Sequence, residues 1–153
     1  MSIIDYKYRC YCKERFPLPS EQQVAELERG LKSTLPADYR HFLLEFNGGY
    51  FHEPAIPPVT DGCPKDVLAV MHGVEVRSEG HFALGDDASV FDDNDPVMCL
   101  PIGGTPMGGL IVMSLWPESA GTILYKQAWG EFFFLADGIE EFFELLTDPE
   151  PDE

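Results

Sequence analysis

The run from Leu35 to Phe51 constrains the fold more than any other stretch of this chain. Pro36 suits the first helical position, where its fixed φ matches the turn and its missing N–H has no intrahelical partner to lose. Tyr39, Phe42, Leu43 and Phe46 recur at i, i+3, i+4 and i+7. That spacing predicts a short amphipathic helix with one apolar face. Asn47-Gly48-Gly49 follows at once with residues that tolerate positive φ, ending the helix and turning the chain toward a sheet. The four apolar side chains are expected in the core. The stretch is architectural, so chemistry has to be sought elsewhere.

A chain of 153 residues suits a single domain, 1–153, with a core of its own and a frayed acidic tail from about residue 148. No run reaches the ~20 apolar residues of a membrane helix. Met1-Ser2-Ile3-Ile4-Asp5 lacks the apolar core of a secretion signal, and a soluble cytoplasmic protein is expected. Charge is the strongest compositional fact: ten Lys and Arg stand against 27 Asp and Glu, for a formal net charge of −17. The excess is local. Residues 1–40 carry seven basic and six acidic side chains, which leaves three against 21 for the remainder. Such a surface repels phosphate backbones and speaks against direct nucleic-acid binding; it attracts basic proteins and speeds their capture.

Other elements follow from local signals. Tyr6, Tyr8 and Cys10 alternate with Lys7 and Arg9, predicting a short half-buried strand. Ser20 and Gln23 form a capping box that opens a helix striped by Val24, Leu27 and Leu31. Pro54, Pro57, Gly62 and Pro64 make 50–66 a loop or extended crossing, and Val67 to Val76 reads as a strand. Residues 85–96 read as an acidic loop around Val90-Phe91. Strands are then expected over Val97–Ile102, Leu110–Trp116 and Thr122–Lys126. Gly103 to Gly109 and Gly121 serve as turns. Phe132 to Leu135 suits a strand buried on both faces. Asp137 is the expected N-cap of a last helix striped by Ile139, Phe142, Phe143 and Leu146. The pattern is α+β: a single, mainly antiparallel sheet with helices packed around it.

Three pieces in this order resemble the SUKH superfamily, in its Smi/Knr branch. They are Leu35 to Gly49; the apolar-Pro-Ile-Gly, Gly-rich and hydrophobic pattern from Leu100 to Leu115; and Gly121 to Leu146. The resemblance implies a SUKH (Smi/Knr-like) fold, no catalytic residues, and a role like that of bacterial immunity proteins. Those proteins bind and neutralise toxins of polymorphic or contact-dependent systems, many of them nucleases. Eukaryotic members resemble regulatory scaffolds, which is the alternative reading. The glycine-rich turn departs from the family pattern, with Thr105-Pro106-Met107 where members often carry an acid or amide.

No catalytic motif accompanies this. His41, His52, His72 and His81 are scattered with no nucleophile beside them, and HExxH, GxSxG and a phosphate loop are absent. Asp92-Asp93-Asn94-Asp95 is followed by Pro96 and lacks the glycine and terminal Glu of an EF-hand. Cys10, Cys12, Cys63 and Cys99 match no zinc spacing, although a site joining Cys10 and Cys12 to a distant His or Cys stays open. No cofactor or metal is expected. The acidic surface is the candidate: Asp86, Asp87, Asp92, Asp93 and Asp95 around an apolar anchor at Phe91, with Glu140, Glu141 and Glu144 as a second patch. The expected partner is a basic cognate toxin, met by a monomer or weak dimer.

Overall fold

A computed structural model describes residues 3–74, 99–106, 108–127 and 131–148. Its elements in chain order are α1 (Ile3–Tyr11), β1 (Cys12–Arg15), α2 (Glu21–Leu31), α3 (Ala37–Glu45), β2 (Gly49–Phe51), β3 (Ala55–Ile56), β4 (Asp66–Val67), β5 (Val70–Met71), β6 (Cys99–Gly104), β7 (Leu110–Ser114), β8 (Ile123–Lys126), β9 (Phe132–Ala136) and α4 (Ile139–Leu145). One antiparallel sheet runs in the order β1-β2-β5-β6-β7-β8-β9, and β3 pairs with β4 apart from it. This is the expected α+β arrangement.

The amino-terminal segment differs from its expectation. Residues 3–11 are helical, and the strand begins only at Cys12. Tyr8 and Tyr11 are buried and Ile4 packs beside them, at i, i+4 and i+7, while Tyr6 and Cys10 face outward. The same residues satisfy a period of two and a period of 3.6 over so short a stretch. Tertiary contacts choose the helix: the Tyr8 ring sits 4.5 Å from that of Phe46 and 5.8 Å from that of Phe51.

Two of the local signals hold as read. The Ser20 hydroxyl accepts from the Gln23 N–H at 3.1 Å, and the Gln23 side chain accepts from the Ser20 N–H at 2.9 Å. Tyr39, Phe42, Leu43 and Phe46 are all buried. Pro36 stands one position earlier than expected, at the N-cap of α3. After α3, Asn47 and Gly48 take φ of 58° and 91° and deliver the chain into β2.

Asn47 does more than end a helix. Fully buried, it donates from Nδ2 to the Pro17 carbonyl at 2.7 Å and to the Val74 carbonyl at 3.2 Å. Its Oδ1 accepts from the Val74 N–H at 2.7 Å. Tyr8 donates its hydroxyl proton to the Gly48 carbonyl beside it. A buried, fully bonded amide of this kind fixes the relative position of the segments it joins, because breaking any one bond strands a buried polar group.

Further along, several boundaries shift. The strand expected over Val67 to Val76 is two short ones, β4 and β5, with the Leu68 N–H between them turned to the Pro54 carbonyl; residues 75 and 76 lie outside the described residues. Gly103 and Gly104, expected in a turn, belong to β6. A Cβ on Gly103 would come within 2.8 Å of the Val70 carbonyl, so glycine is what lets β5 approach. Beyond β6 the Thr105 N–H donates to the Gly109 carbonyl at 3.0 Å.

Side chains of α1, α2, α3 and α4 share one core with a face of the sheet. Against them stand Met71, Leu100, Ile102, Ile111, Met113 and Ile123, each fully buried. Phe42 of α3 meets Phe143 of α4 at 5.5 Å between ring centroids, in an aromatic centre that also holds Tyr8. Val70 and Val112, on the opposite face, are buried without joining that core.

Candidate partner-binding surface

Glu140, Glu141 and Glu144 occupy the outward side of α4, because Ile139, Phe142 and Phe143 take the inward one. All three are exposed. The expected N-cap at Asp137 is corrected: Gly138 is the N-cap, with no side-chain bond, and Glu141 reaches back to accept from the Asp137 N–H at 2.6 Å. That bond holds Glu141 in the first turn, where the positive end of the helix dipole favours a carboxylate. The side chains of Glu140 and Glu144 have no hydrogen bond or ion pair among the described residues and point their charge into solvent. Asp86, Asp87, Phe91, Asp92, Asp93 and Asp95 lie outside the described residues, as does His81.

Basic side chains do not offset this charge, because many serve local partners. Arg9 pairs with Asp5 at 3.3 Å and Arg29 with Glu26 at 3.9 Å; Arg40 lies 3.4 Å from Glu28 and 3.6 Å from Glu21. Lys7 donates to the Leu146 carbonyl, and Arg15 lies over the Tyr8 ring. Exposed pairs of this kind contribute at most about 1 kcal/mol each. Their larger effect is on the field. The charges of Arg9, Arg29 and Arg40 are offset by the carboxylates beside them, and none of these ion pairs uses an acid of α4.

The strand expected to be buried on both faces is an edge strand. In β9, Phe133 turns inward against the core, while Phe132 and Phe134 are 49% and 37% exposed. A register shift opposite Ile123/Leu124 lets the successive residues Leu135 and Ala136 both face the core. Across the sheet, Phe132 stands opposite Lys126 and Phe134 opposite Leu124. The outer face therefore passes from the buried Val112 through the half-buried Leu124 to the exposed Phe134. Trp116, 51% exposed, stands at the end of the sheet in the β7–β8 connection, whose Gly121 lies near the Asp137 carbonyl. These aromatic residues were not among the sequence candidates. Three phenylalanines in a row signal burial, and only the missing neighbour strand reveals an edge.

Groups suited to covalent chemistry are dispersed. His41 lies exposed on α3, 2.9 Å from Glu45, His52 is exposed after β2, and His72 is buried after β5. Burial raises the thiols of Cys12, Cys63 and Cys99, which favours their protonated form. Tyr8, Tyr39 and Tyr125 are raised chiefly by burial, Tyr125 also by its bond to Asp66 at 2.7 Å. Tyr11 is pushed up to about 12 by burial and by its bond to Asp148. Among the described residues no three His, Cys, Asp or Glu side chains are grouped to hold a metal ion, Cys10 and Cys12 included. Among them, too, no helix is long and apolar enough to cross a membrane.

What this surface can do, on its geometry, is present fixed carboxylates and aromatic rings to another molecule. Residues 18–145 match the model of the SMI1 / KNR4 family (SUKH-1). The chain is also similar to the SPbeta prophage-derived uncharacterized protein YokK of Bacillus subtilis (strain 168). The two are 26% identical over 155 residues, covering 88% of this chain and 79% of that protein.

Proposed function

Because this chain belongs to the SMI1 / KNR4 family (SUKH-1), we propose that it is a non-catalytic immunity protein that binds a cognate bacterial toxin stoichiometrically in the cytoplasm. The observation that carries the reading is the unbalanced acid: three basic against 21 acidic side chains beyond residue 40, with Glu140 and Glu144 exposed on α4 and without an ion pair among the described residues. A nuclease-like toxin holds phosphates in a basic cleft. Carboxylates placed in that cleft exclude the substrate with no reaction of their own, and opposite charge speeds the encounter.

In this reading Asp86, Asp87, Asp92, Asp93 and Asp95 around Phe91 form one contact and Glu140, Glu141 and Glu144 the other. The protein acts as one domain, as a monomer or weak dimer. Co-expression with the toxin encoded beside it tests the reading: growth is expected to be restored, and a failure to rescue ends it. A pull-down that returns host regulatory or envelope proteins instead, with no rescue, favours a scaffold of the Smi/Knr type.

A further inference from the structure

We propose that β9 is a docking strip: its open edge and outer face receive an extended, basic segment of the protein partner, which adds to the sheet as a further strand. The inference rests on the immunity reading for the identity of that partner and on β9 itself for the place.

Three observations converge. β9 stands last in the strand order, and among the described residues its outward N–H and C=O groups meet no further strand. Strand addition uses such groups for affinity, and alternate side chains for selectivity. Next, the alternate side chains are aromatic. Phe132 and Phe134 stand exposed on one face with Leu124 beside them, and Trp116 is exposed in the β7–β8 connection. Rings held on a rigid strand make good anchors because ordering them costs little entropy. Finally, the ends of the strip are acidic. Glu131 precedes β9 and Asp137 follows it, Glu118 lies two residues from Trp116, and all three are exposed. Carboxylates at the ends of an apolar centre fit a segment whose apolar side chains alternate with, or are flanked by, Lys and Arg. A neutral or acidic residue fits where the segment passes Lys126, whose ammonium lies 6.0 Å from the centre of the Phe132 ring.

The same charges disfavour a second copy of this chain. A symmetric antiparallel pairing of two β9 strands centred on Phe134 sets Glu131 of each copy against Asp137 of the other. Like charges in cross-strand positions are destabilising, and each copy brings a formal −17 to the contact.

The test uses the whole chain and two probes: the purified toxin domain encoded beside it, and a synthetic peptide alternating lysine with isoleucine. Binding is followed by tryptophan fluorescence, from Trp116 and Trp129, and by amide hydrogen exchange, for the parent chain and for Phe132→Ala/Phe134→Ala. Thermal melting confirms that the variant folds. The expected result is slowed exchange at residues 132–134 and at least tenfold weaker binding by the variant for both probes. If the parent rescues cells and binds the toxin while the double variant does so equally well, the docking strip is wrong and the immunity reading stands. If the parent fails to rescue, yet the peptide protects 132–134 and needs both phenylalanines, the strip is supported and the toxin reading falls. Protection elsewhere on the sheet, or self-association through β9 in sedimentation, overturns the strip.

Discussion

The two edges of the sheet manage the same hazard differently. At one end, β1 shows Lys13, Glu14 and Arg15 to solvent and has only Cys12 partly covered. It is short, charged and irregular, with its register broken between Cys12 and Glu14. Those are the devices by which natural edges refuse another strand. At the other end, β9 shows Phe132 and Phe134. An unguarded apolar edge is an aggregation risk that persists more readily when a partner covers it. The guarded edge also lies outside the family-matched span and the open one within it. The contrast teaches that a surface rich in acid need not be uniform: charge protects one edge, and the other is left for recognition.

Alkaline pH should have the largest effect. A phenol or thiol whose folded pKa is raised stabilises the fold fully below its unfolded value, and that contribution is lost as pH rises through the folded value. Tyr8 and Tyr11, on the helix that leads into β1, are both raised from 10.0, Tyr11 to about 12. Melting temperature followed by circular dichroism should hold to about pH 10 and then fall steeply toward 12. A flat profile over that range would contradict the burial of these rings.

Next comes the hub behind the guarded edge. Asn47→Ala removes three hydrogen bonds, two of them buried and one partly so, at a residue with φ of 58° and should cost about 3 kcal/mol in urea unfolding. A loss under about 1 kcal/mol would mean that the loops from Pro17 and Val74 are held by something else. Tyr8→Phe keeps the ring in the aromatic centre and deletes its bond to the Gly48 carbonyl; about 1–2 kcal/mol is expected.

The open edge should respond in the opposite sense. Phe132→Ala with Phe134→Ala should cost about 1–2 kcal/mol in all, less than a fully buried pair, since the rings are 49% and 37% exposed. Conversely, Lys13→Val with Arg15→Val should cost about 1 kcal/mol or less, through loss of the Arg15 contact with the Tyr8 ring, and make the chain associate with itself in concentration-dependent sedimentation. If the charge-stripped β1 stays monomeric, charge is not what guards it. The smallest effect belongs to Tyr39→Phe. The hydroxyl of Tyr39 is buried with no hydrogen-bond partner among the described residues, so its removal should be neutral or slightly stabilising.

What was legible in the sequence was whatever is encoded within a turn or two of chain. The Ser20–Gln23 capping box, the stripe Tyr39-Phe42-Leu43-Phe46, the positive-φ stop at Asn47-Gly48 and the stripe of α4 each require only neighbours three or four residues away. The acidic excess was legible as well, being a count. Placement was not. The Asp137 cap moved by one register because two acids, Glu140 and Glu141, stand within reach of the helix start and geometry selected the second.

The sequence by itself thus determined an α+β chain, its best-marked helices and the sign of its surface, because those depend on local spacing and composition. The tertiary structure alone decided three other things. It made residues 3–11 a helix, since two periods were equally compatible and the rings of Phe46 and Phe51 supply the site into which Tyr8 turns. It made Asn47 a hub, through carbonyls 27 and 30 residues away. And it put Phe132 and Phe134 at an edge, because the exposure of a strand is set by how many strands lie beside it, and that number is written nowhere in the strand itself.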